Sequence, residues 1–303
     1  MIHPAFSGPA DVRRAVRARS VYSHKGDLGC LLIVGGSDVY SGAPALAGMA
    51  AFRTGAGLVI IAAPRGTART IRSYSPNLIV HSLRSRVITS NDVPKVAQLL
   101  GRSDAFVLGP GIGLDPKTRR AVPLMIETAV RMKKPMLIDA DAIKALSGRV
   151  DLLKRANAVI TPNGGEFRAV YGVDVSPRWR DRLPFCIRFA SRFSCVLLLK
   201  GHDTVVTDGR RVRINRTGNP GMATGGMGDV LSGVIGTFLA QGAESFFAAA
   251  AGAYVHGRAG DLVGREKGFH MVASDLIDAL PTVLKEYDRE RRDLICQSVR
   301  GRM

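Results

Sequence analysis

The sequence predicts an α/β protein with a mostly parallel central sheet and helices on both faces of that sheet. Short, continuously apolar runs alternate with helix-like segments along most of the 303 residues, as expected for strands that are buried on both faces. One pair of runs near residue 210 alternates apolar and polar residues around a turn, which predicts an antiparallel hairpin at the sheet edge. Because no linker or repeat interrupts the alternation, residues 1–303 are expected to form a single domain.

The elements follow in order from a basic N-terminal extension, residues 1–25, to a basic tail, residues 290–303. A short surface helix is predicted within the extension, over residues 11–19. Periodicity and length then separate strands from helices. The predicted strands cover 30–36, 58–63, 105–108, 136–139, 158–160 and 196–199, and the hairpin covers 204–209 and 211–215. The other predicted helices cover 42–53, 92–100, 117–132, 141–146, 166–171, 183–194, 230–241, 244–263 and 274–289.

Composition and charge exclude several classes of protein. No apolar run approaches the roughly 20 residues of a membrane span, and the N-terminus lacks a signal-peptide pattern, so we expect a cytoplasmic protein that does not bind membranes. The net charge is +18, but the basic residues are spread along the chain and are not interleaved with aromatic residues for stacking on nucleic acid. A surface that attracts anionic ligands is therefore favoured over nucleic-acid binding.

The cysteines do not have the spacing of a metal or redox site, which favours buried thiols over zinc ligands or disulfides. They are Cys30, Cys186, Cys195 and Cys296.

A glycine-rich loop at residues 218–229 runs directly into an apolar segment that is predicted to be a buried helix. Unpaired N–H groups at such a junction, together with the helix dipole, form an anion site that suits phosphate. A carboxylate beside that site, Asp229, is expected to be a proton acceptor or a metal partner, with a simple helix cap as the alternative. The N–H groups assigned to the anion site are those of Thr224, Gly225, Gly226, Met227 and Gly228.

Other polar and glycine-rich segments follow the predicted strands, at the edge where an open parallel sheet binds ligands. Each has a structural alternative. Residues 109–113 could be a tight turn or a loop that approaches a ligand, and Asp139 and Asp141 could be functional or cap a helix. Neither a dinucleotide-type GxGxxG after the first strand nor a P-loop is present.

At two further strand ends, both a functional and a structural role are possible. Asn163 and Glu166 could form a capping pair instead of a site. Lys200 alone would more often be a solvated charge, and His202 more often a surface residue. The argument for function is that all these groups occur at successive strand ends.

Taken together, the motifs resemble the ADP/ATP-dependent NAD(P)H-hydrate dehydratases, carbohydrate-kinase-like enzymes with a ribokinase-like fold. The resemblance runs in order from about residue 24 to residue 285. It is most specific in the glycine-rich loop and its Gly-Asp ending. The motifs that carry it lie at 24–29, 35–37, 41–43, 53–57, 109–113, 139–141, 161–166, 200–204 and 218–229.

The resemblance implies repair of a hydrated nicotinamide ring. ADP or ATP would phosphorylate the ring hydroxyl of the S-epimer of NADHX or NADPHX with Mg²⁺ as cofactor, and loss of phosphate would restore the double bond. It also implies a homo-oligomer, a tetramer, working with a separate NAD(P)H-hydrate epimerase. The alternatives are a small-molecule kinase related to hydroxyethylthiazole kinase and a nucleic-acid-binding protein.

The resemblance also implies roles for individual residues. Asp229 would accept the hydroxyl proton, and Glu166 would help place Mg²⁺ through water molecules. The implied substrate contacts are Ala43, Gly113, Asn163 and Asp229. The implied nucleotide contacts are Lys200, Gly201, His202, Asp203, Thr204 and Gly228.

The chain departs from the family pattern at two of its motifs. Asn163 stands where the family usually has a histidine that contacts the substrate, and Gly164 follows it where a small residue or proline is usual. Met227 replaces the common Thr or Ser, with little expected effect because that position contributes its N–H group.

Overall fold

A ten-stranded sheet forms the centre of the molecule in the computed structural model, which describes residues 3–291. In chain order, its strands within that range are β1 (Ala5–Phe6), β3 (Cys30–Val34), β4 (Leu58–Ala63), β5 (Ile79–Ser82), β6 (Ala105–Leu108), β7 (Met136–Ile138), β8 (Ala158–Ile160), β9 (Val196–Leu199), β10 (Thr204–Thr207) and β11 (Val212–Asn215). Two short strands, β2 (Arg19–Ser20) and β12 (Glu290–Arg291), pair separately.

The strand order confirms the predicted mostly parallel sheet and its antiparallel hairpin, although β1, which was not predicted, lies outside the hairpin at that edge. From one edge to the other it is β1-β11-β10-β9-β8-β7-β6-β3-β4-β5. The block from β9 to β5 is parallel throughout, whereas β10 is antiparallel to both β9 and β11. Since the carboxyl ends of parallel strands share one edge, the segments after β3, β6, β7, β8 and β9 lie along the same side of the molecule.

Helices cover both faces of the sheet and create two apolar cores. Side chains alternate along β3: Leu31 and Ile33 face one core, and Leu32 and Val34 face the other, as the two-residue period of a strand requires. The helices that pack mainly in the first core are α1 (Pro9–Ala15), α2 (Gly42–Thr54), α3 (Arg65–Tyr74), α9 (Met227–Ala240), α10 (Ser245–Lys267) and α11 (Ala273–Leu284). Those in the second are α4 (Val93–Leu100), α5 (Pro116–Arg131), α6 (Ala140–Ala145), α7 (Gly164–Tyr171) and α8 (Trp179–Phe193).

Close packing of α2 and α9 places the start of α9 at the carboxyl edge of the sheet. A Cβ on Gly233 would collide with the carbonyl oxygen of Ala47, and one on Gly236 would lie 2.6 Å from a methyl group of Val107. Glycine is therefore required on the α9 faces that contact α2 and the sheet. This packing fixes the position of the glycine-rich loop that precedes α9.

The elements that were not predicted include one helix, α3, and one strand of the main sheet, β5, besides the two-residue strands β1, β2 and β12. Helix α3 is rich in arginine and buries only Thr67, Ala68 and Ile71, so its apolar signal is short. Strand β5 is an edge strand with a mixed burial pattern, which gives neither a continuous apolar run nor a clean alternation. Several predicted bounds also shift: α8 begins at Trp179, four residues earlier than expected, and α10 continues to Lys267.

The N-terminal segment is part of the core, contrary to the predicted surface helix over 11–19. Helix α1 ends at Ala15 and buries Val12 and Ala15 against α10, while β1 adds a strand to the main sheet. Asp11, also buried, pairs with Arg213 of β11 at 3.1 Å. The predicted basic tail falls largely outside the described residues.

Three of the four cysteines, Cys30, Cys186 and Cys195, are buried free thiols, as predicted. Cys296 lies outside the described residues. Within residues 3–291, no helix is both long enough and apolar enough to cross a membrane.

Candidate active site

A cavity of about 790 Å³ opens at the carboxyl edge of the sheet, between the segment after β9 and the loop that leads into α9. It is large enough for a nucleotide-sized ligand. Its walls come mainly from the segment after β9, the loop that leads into α9 and Asn163 in the segment after β8. Helix α10 adds Ala253, His256 and Gly257, and Asn215 and Leu231 complete the lining.

The start of α9 presents free backbone N–H groups to this cavity. The loop turns at Gly226, whose φ of 88° lies in the left-handed region, and the helix begins at Met227, three residues earlier than predicted. In residues 3–291, no hydrogen-bond acceptor is assigned to the N–H groups of residues 224–229, and Thr224 and Gly225 are exposed. The first turn of α9 and the loop before it therefore have the donors and the dipole of an anion site, at the predicted residues.

Asp229 is the third residue of α9 and is partly buried. The N-cap is Gly226, and within residues 3–291 the Asp229 carboxylate accepts no hydrogen bond from the N–H groups at the helix start. The cap interpretation is therefore wrong. Burial raises the pKa of Asp229 to about 7, the negative charge of Asp139 adds to this increase, and Lys200 opposes it. A carboxylate with a pKa near neutrality is suited to accept and release a proton.

Asp139 and Lys200 form a buried ion pair next to this carboxylate. The Lys200 ammonium donates to Asp139 Oδ1 at 3.0 Å, and Asp139 is 2% exposed. Burial alone would lower the pKa of Lys200, but Asp139 and Glu166 outweigh it and the pKa is raised. Lys200 is therefore a fixed cation at the cavity wall, not the solvated charge of the alternative interpretation.

Two hydroxyl groups complete the surroundings of Asp139. Thr161 donates to Asp139 Oδ1 at 2.8 Å and Ser232 to Oδ2 at 2.7 Å. Asp139 is the N-cap of α6 but makes no capping hydrogen bond there, so the cap interpretation of this residue is also wrong. Ser232 was not predicted, although it is a fully buried polar residue on an apolar helix one turn after Asp229.

Gly228 lies directly against the ion pair. A Cβ at this position would be 3.5 Å from Lys200 Nζ and 3.9 Å from Asp139 Oδ2. The second residue of α9 is thus within reach of the cation and faces the cavity.

The start of α7 confirms the capping interpretation of Asn163 and Glu166. The Asn163 side chain accepts from the Glu166 N–H, and the Glu166 carboxylate accepts from the Asn163 N–H, both at 2.9 Å. Glu166 Oε2 also lies 3.8 Å from Lys200 Nζ, and Asn163 lines the cavity. The pair is therefore a helix cap that also borders the site.

The segment after β9 contributes to the cavity through most of the predicted residues. Lys200, Gly201, His202 and Thr204 line it, although the His202 side chain is 89% exposed. Asp203 is not among the lining residues, and its carboxylate lies 3.3 Å from Arg216 Nε. Arg182 of α8 supports the segment from behind by donating to the carbonyl oxygens of Lys200 and Asp203.

Ala43 and Gly113 lie at the same edge of the sheet but outside the cavity lining. Gly111, with a φ of 65°, packs against Tyr40 and Ala43, and Gly113 faces Ser37. Both alternatives for residues 109–113 are compatible with this arrangement, in which the turn packs through Gly111 against Ala43. Asp141, the other carboxylate after β7, pairs with Lys144 at 2.9 Å.

One residue of the cavity wall, His256 of α10, was not identified from the sequence. Its Nε2 lies 2.9 Å from the carbonyl oxygen of Met227, in the first turn of α9. Burial lowers the pKa of His256 to about 4, so the imidazole is neutral and Nε2–H donates to the carbonyl. The available signal was a single histidine in a helix otherwise rich in alanine and glycine.

Comparison with known proteins identifies the family. The pattern of the NAD(P)H-hydrate dehydratases matches residues 31–282. The chain belongs to this family. The family predicted from the motifs is thereby confirmed, and so is the ribokinase-like fold: the crystal structure of the ADP/ATP-dependent NAD(P)H-hydrate dehydratase from Bacillus subtilis, co-crystallised with ATP and Mg²⁺, superposes with a TM-score of 0.80 at 28% identity, over 95% of this chain and all of that one.

Relatives of two sizes share the family pattern. The bifunctional NAD(P)H-hydrate repair enzyme of Hyperthermus butylicus is 43% identical over 92% of this chain and 52% of its own length. The ADP-dependent (S)-NAD(P)H-hydrate dehydratase of Cenarchaeum symbiosum is 35% identical over 93% of this chain and 97% of its own length. The chain thus spans about half the length of the bifunctional relatives it matches.

Proposed function

We propose that this protein dehydrates the S-epimer of hydrated NAD(P)H back to NAD(P)H, using ADP or ATP as phosphoryl donor. One observation supports the chemistry above the others: Asp229, with a pKa near 7, stands in the first turn of a helix whose N–H groups are free to bind phosphate. The dehydratase relatives and the family pattern supply the substrate class.

The nucleotide would occupy the cavity beside residues 200–204, with its terminal phosphate over the N–H groups of residues 224–228. Asp229 would take the proton from the ring hydroxyl while the hydroxyl oxygen attacks the terminal phosphorus. The bond from that phosphorus to the bridging oxygen breaks, and AMP or ADP leaves. Phosphoryl transfer of this kind depends mainly on positioning and charge stabilisation.

The second half of the reaction needs little from the protein. Phosphate is a better leaving group than hydroxide, and the lone pair of the ring nitrogen expels it as the carbon–oxygen bond breaks. Loss of a proton from the adjacent ring carbon then restores the double bond. The N–H groups that received the phosphoryl group would hold the departing phosphate.

Lys200 would stabilise the charge that develops on the migrating phosphoryl group. Asp139 holds the ammonium in place, and Thr161 and Ser232 hold Asp139. Because the pKa of Lys200 is raised, the side chain remains charged throughout the pH range of activity. Gly228 leaves room for phosphate oxygens against this cation.

The residues present fit a Mg²⁺ ion carried mainly by the phosphates. No group of three or more His, Cys, Asp or Glu side chains suited to metal binding occurs in residues 3–291. Glu166, whose carboxylate lies 3.8 Å from Lys200 Nζ, would bind the ion through water molecules, since Mg²⁺ usually keeps several waters beside phosphate oxygens. When bound, the ion would neutralise charge on the transferred group.

Ala43, Gly113 and Asn163 are the proposed contacts of the hydrated cofactor. Ala43 and Gly113 lie outside the lining of the nucleotide cavity, and Ala43 belongs to α2, which packs against α9. A cofactor bound there would bring its ring hydroxyl to Asp229 from outside the nucleotide cavity. With Asn163 in place of the usual histidine, this contact would come from an amide that already caps α7.

The direct test mixes purified protein with NADHX and Mg²⁺, with ADP, with ATP or with neither, and follows absorbance at 340 nm. Nucleotide-dependent growth of the NADH band is expected, and the more active nucleotide is the donor. A stable phosphate ester without the band would instead indicate a small-molecule kinase. Nucleotide binding without any turnover of NADHX would contradict the proposed reaction.

Several wider properties remain predictions from the sequence. They are a homo-tetrameric assembly, a cytoplasmic location and the absence of nucleic-acid and membrane binding. Cooperation with a separate epimerase is a further prediction, supported by the bifunctional nature of the longer repair enzymes.

A further inference from the structure

Helix α10 contacts both ends of the loop that carries the anion site. Near the start of this loop, a Cβ on Gly257 would collide with Thr217, and Asp261 accepts from the N–H of Gly218 at 3.1 Å. Asn219 donates to the carbonyl oxygen of Gly260 at 2.7 Å. The first residues of the loop are therefore held against α10 by backbone contact and hydrogen bonds.

At the other end of the loop, one side chain of α10 is hydrogen-bonded to α9. His256 donates through Nε2 to the carbonyl oxygen of Met227 at 2.9 Å. That carbonyl belongs to the first residue of α9, and the peptide group it is part of carries the N–H of Gly228. Because a peptide group is planar and rigid, fixing the carbonyl also fixes the direction of the Gly228 N–H.

We propose that His256 is a positioning residue of the phosphoryl-transfer site, which acts through the Met227 peptide to aim the Gly228 N–H at the migrating phosphate. This inference rests on the proposed function for its substrate, but its geometry is independent of the substrate. Preorganised donors lose much of their effect when they are displaced by about 1 Å, and such displacement can reduce a rate about 100-fold.

The surroundings of His256 agree with a neutral hydrogen-bond donor. The ring is half-buried at the cavity wall, and its desolvation together with the charge of Lys200 disfavours a second proton on the imidazole. Nε2 is thus committed to Met227 as a donor.

Three substitutions of His256 separate positioning from packing. The amide nitrogen of glutamine reaches about as far as Nε2, whereas that of asparagine stops near Nδ1 and leucine has no donor. We expect His256→Gln to keep kcat within about tenfold of the unsubstituted protein, and His256→Asn and His256→Leu to lower kcat about 100-fold. The KM for the nucleotide should rise by a much smaller factor than kcat falls, since the proposed nucleotide contacts at residues 200–204 are unchanged. His81→Leu, at a partly buried histidine on the edge strand β5, is the matched control and should retain full kcat.

The readouts distinguish this inference from the proposed function. If the unsubstituted protein does not convert NADHX, the proposed function fails, and binding of inorganic tripolyphosphate by isothermal titration then tests His256: weaker binding to His256→Asn than to His256→Gln is expected. If the unsubstituted protein is active and His256→Asn, folded by circular dichroism, matches its kcat, the inference is overturned. Should His256→Leu fail to fold, the contrast between Asn and Gln still decides.

Discussion

Helices α7 and α9 both begin at the carboxyl edge of the sheet, and both have an acidic residue at their third position. In α7 that residue, Glu166, closes a reciprocal cap with Asn163. In α9 the corresponding Asp229 forms no cap, and the residue at the N-cap is Gly226, which has no side chain to accept a hydrogen bond. The residue at the N-cap therefore decides whether the first turn is closed on itself or left open to a ligand.

The difference also changes the chemistry of the two carboxylates. Glu166 accepts a backbone N–H and stands 3.8 Å from Lys200. No N–H group of the described part of the chain donates to Asp229, which is partly buried and faces the charge of Asp139, so its pKa is raised to about 7. In α7 the acidic residue of the first turn therefore closes a cap beside Lys200, whereas in α9 it is, in our proposal, a proton acceptor.

Removing the carboxylate of α9 should have the largest effect. Asp229→Asn keeps the shape of the side chain but cannot accept the hydroxyl proton, and we expect turnover of NADHX to fall about 10³- to 10⁴-fold. Nucleotide binding, measured by isothermal titration, should change little. Full turnover by this variant would show that Asp229 is not the proton acceptor.

The raised pKa of Asp229 can also be tested through the thermal stability of Asp229→Asn. The folded-state pKa of Asp229 lies above its unfolded value, so ionisation of this group costs stability, and the cost grows as pH rises from about 4 to 7. Asp229→Asn should therefore melt a few degrees higher than the unsubstituted protein at pH 8, with the gap shrinking toward pH 4. An equal gap at both pH values would contradict the raised pKa.

Filling the open helix start should have the next largest effect. In Gly228→Ala, the new methyl group meets Lys200 and Asp139 at ordinary contact distances, and alanine favours helix by up to about 1 kcal/mol. We expect unchanged or increased stability by thermal unfolding, together with turnover reduced about 10- to 100-fold because the methyl group occupies space needed by phosphate. Gly242, in a turn at the opposite end of α9, has a positive φ, so Gly242→Ala would strain the backbone and is a poor control. Gly225 has open space around it, and Gly225→Ala should reduce turnover less than Gly228→Ala does.

The pH dependence of turnover should change when Asp139, the charged neighbour of Asp229, is replaced. Turnover is expected to rise as Asp229 loses its proton around pH 7. In Asp139→Asn a negative charge is removed, ionisation of Asp229 becomes easier, and the rise should move about one unit toward lower pH. A shift toward higher pH would contradict the assigned cause.

Variants at the capped start of α7 should have the smallest effect, a modest loss of unfolding free energy. Asn163→Ala removes the cap of α7 and should cost about 1 kcal/mol of unfolding free energy, measured by chemical denaturation. Glu166→Gln keeps the capping geometry and should cost less. If Asp229→Ala at low pH lowered the free energy of unfolding as much as Asn163→Ala does, the distinction between the two helix starts would be wrong.

The parts of this picture that follow from sequence are those set by local pattern. The apolar runs predicted the strands of the sheet. The glycine-rich loop predicted the anion site and the helix that follows the loop, near their observed positions. Helix α3 and strand β5 were missed because their burial is partial and their apolar signal short.

Side-chain partners could not be predicted in the same way. Asp139 was ambiguous because a carboxylate after a strand has the same sequence pattern whether it caps a helix or binds a lysine. Its actual partners, Lys200, Thr161 and Ser232, lie 22 to 93 residues away along the chain, and only the folded sheet brings them together. His256 was missed for the same reason, since its acceptor is a backbone carbonyl 29 residues distant.

The central claim, that the open start of α9 holds a carboxylate poised near neutrality, is tested most directly by measuring the pKa of Asp229 in the nucleotide-free protein. Carbon-13 NMR of aspartate-labelled protein gives this value, with Asp229→Asn identifying the resonance. A pKa of about 7 is expected. A value near 3.8, the ordinary aspartate value, would contradict the account and make Asp229 an unexceptional acidic residue in a first turn.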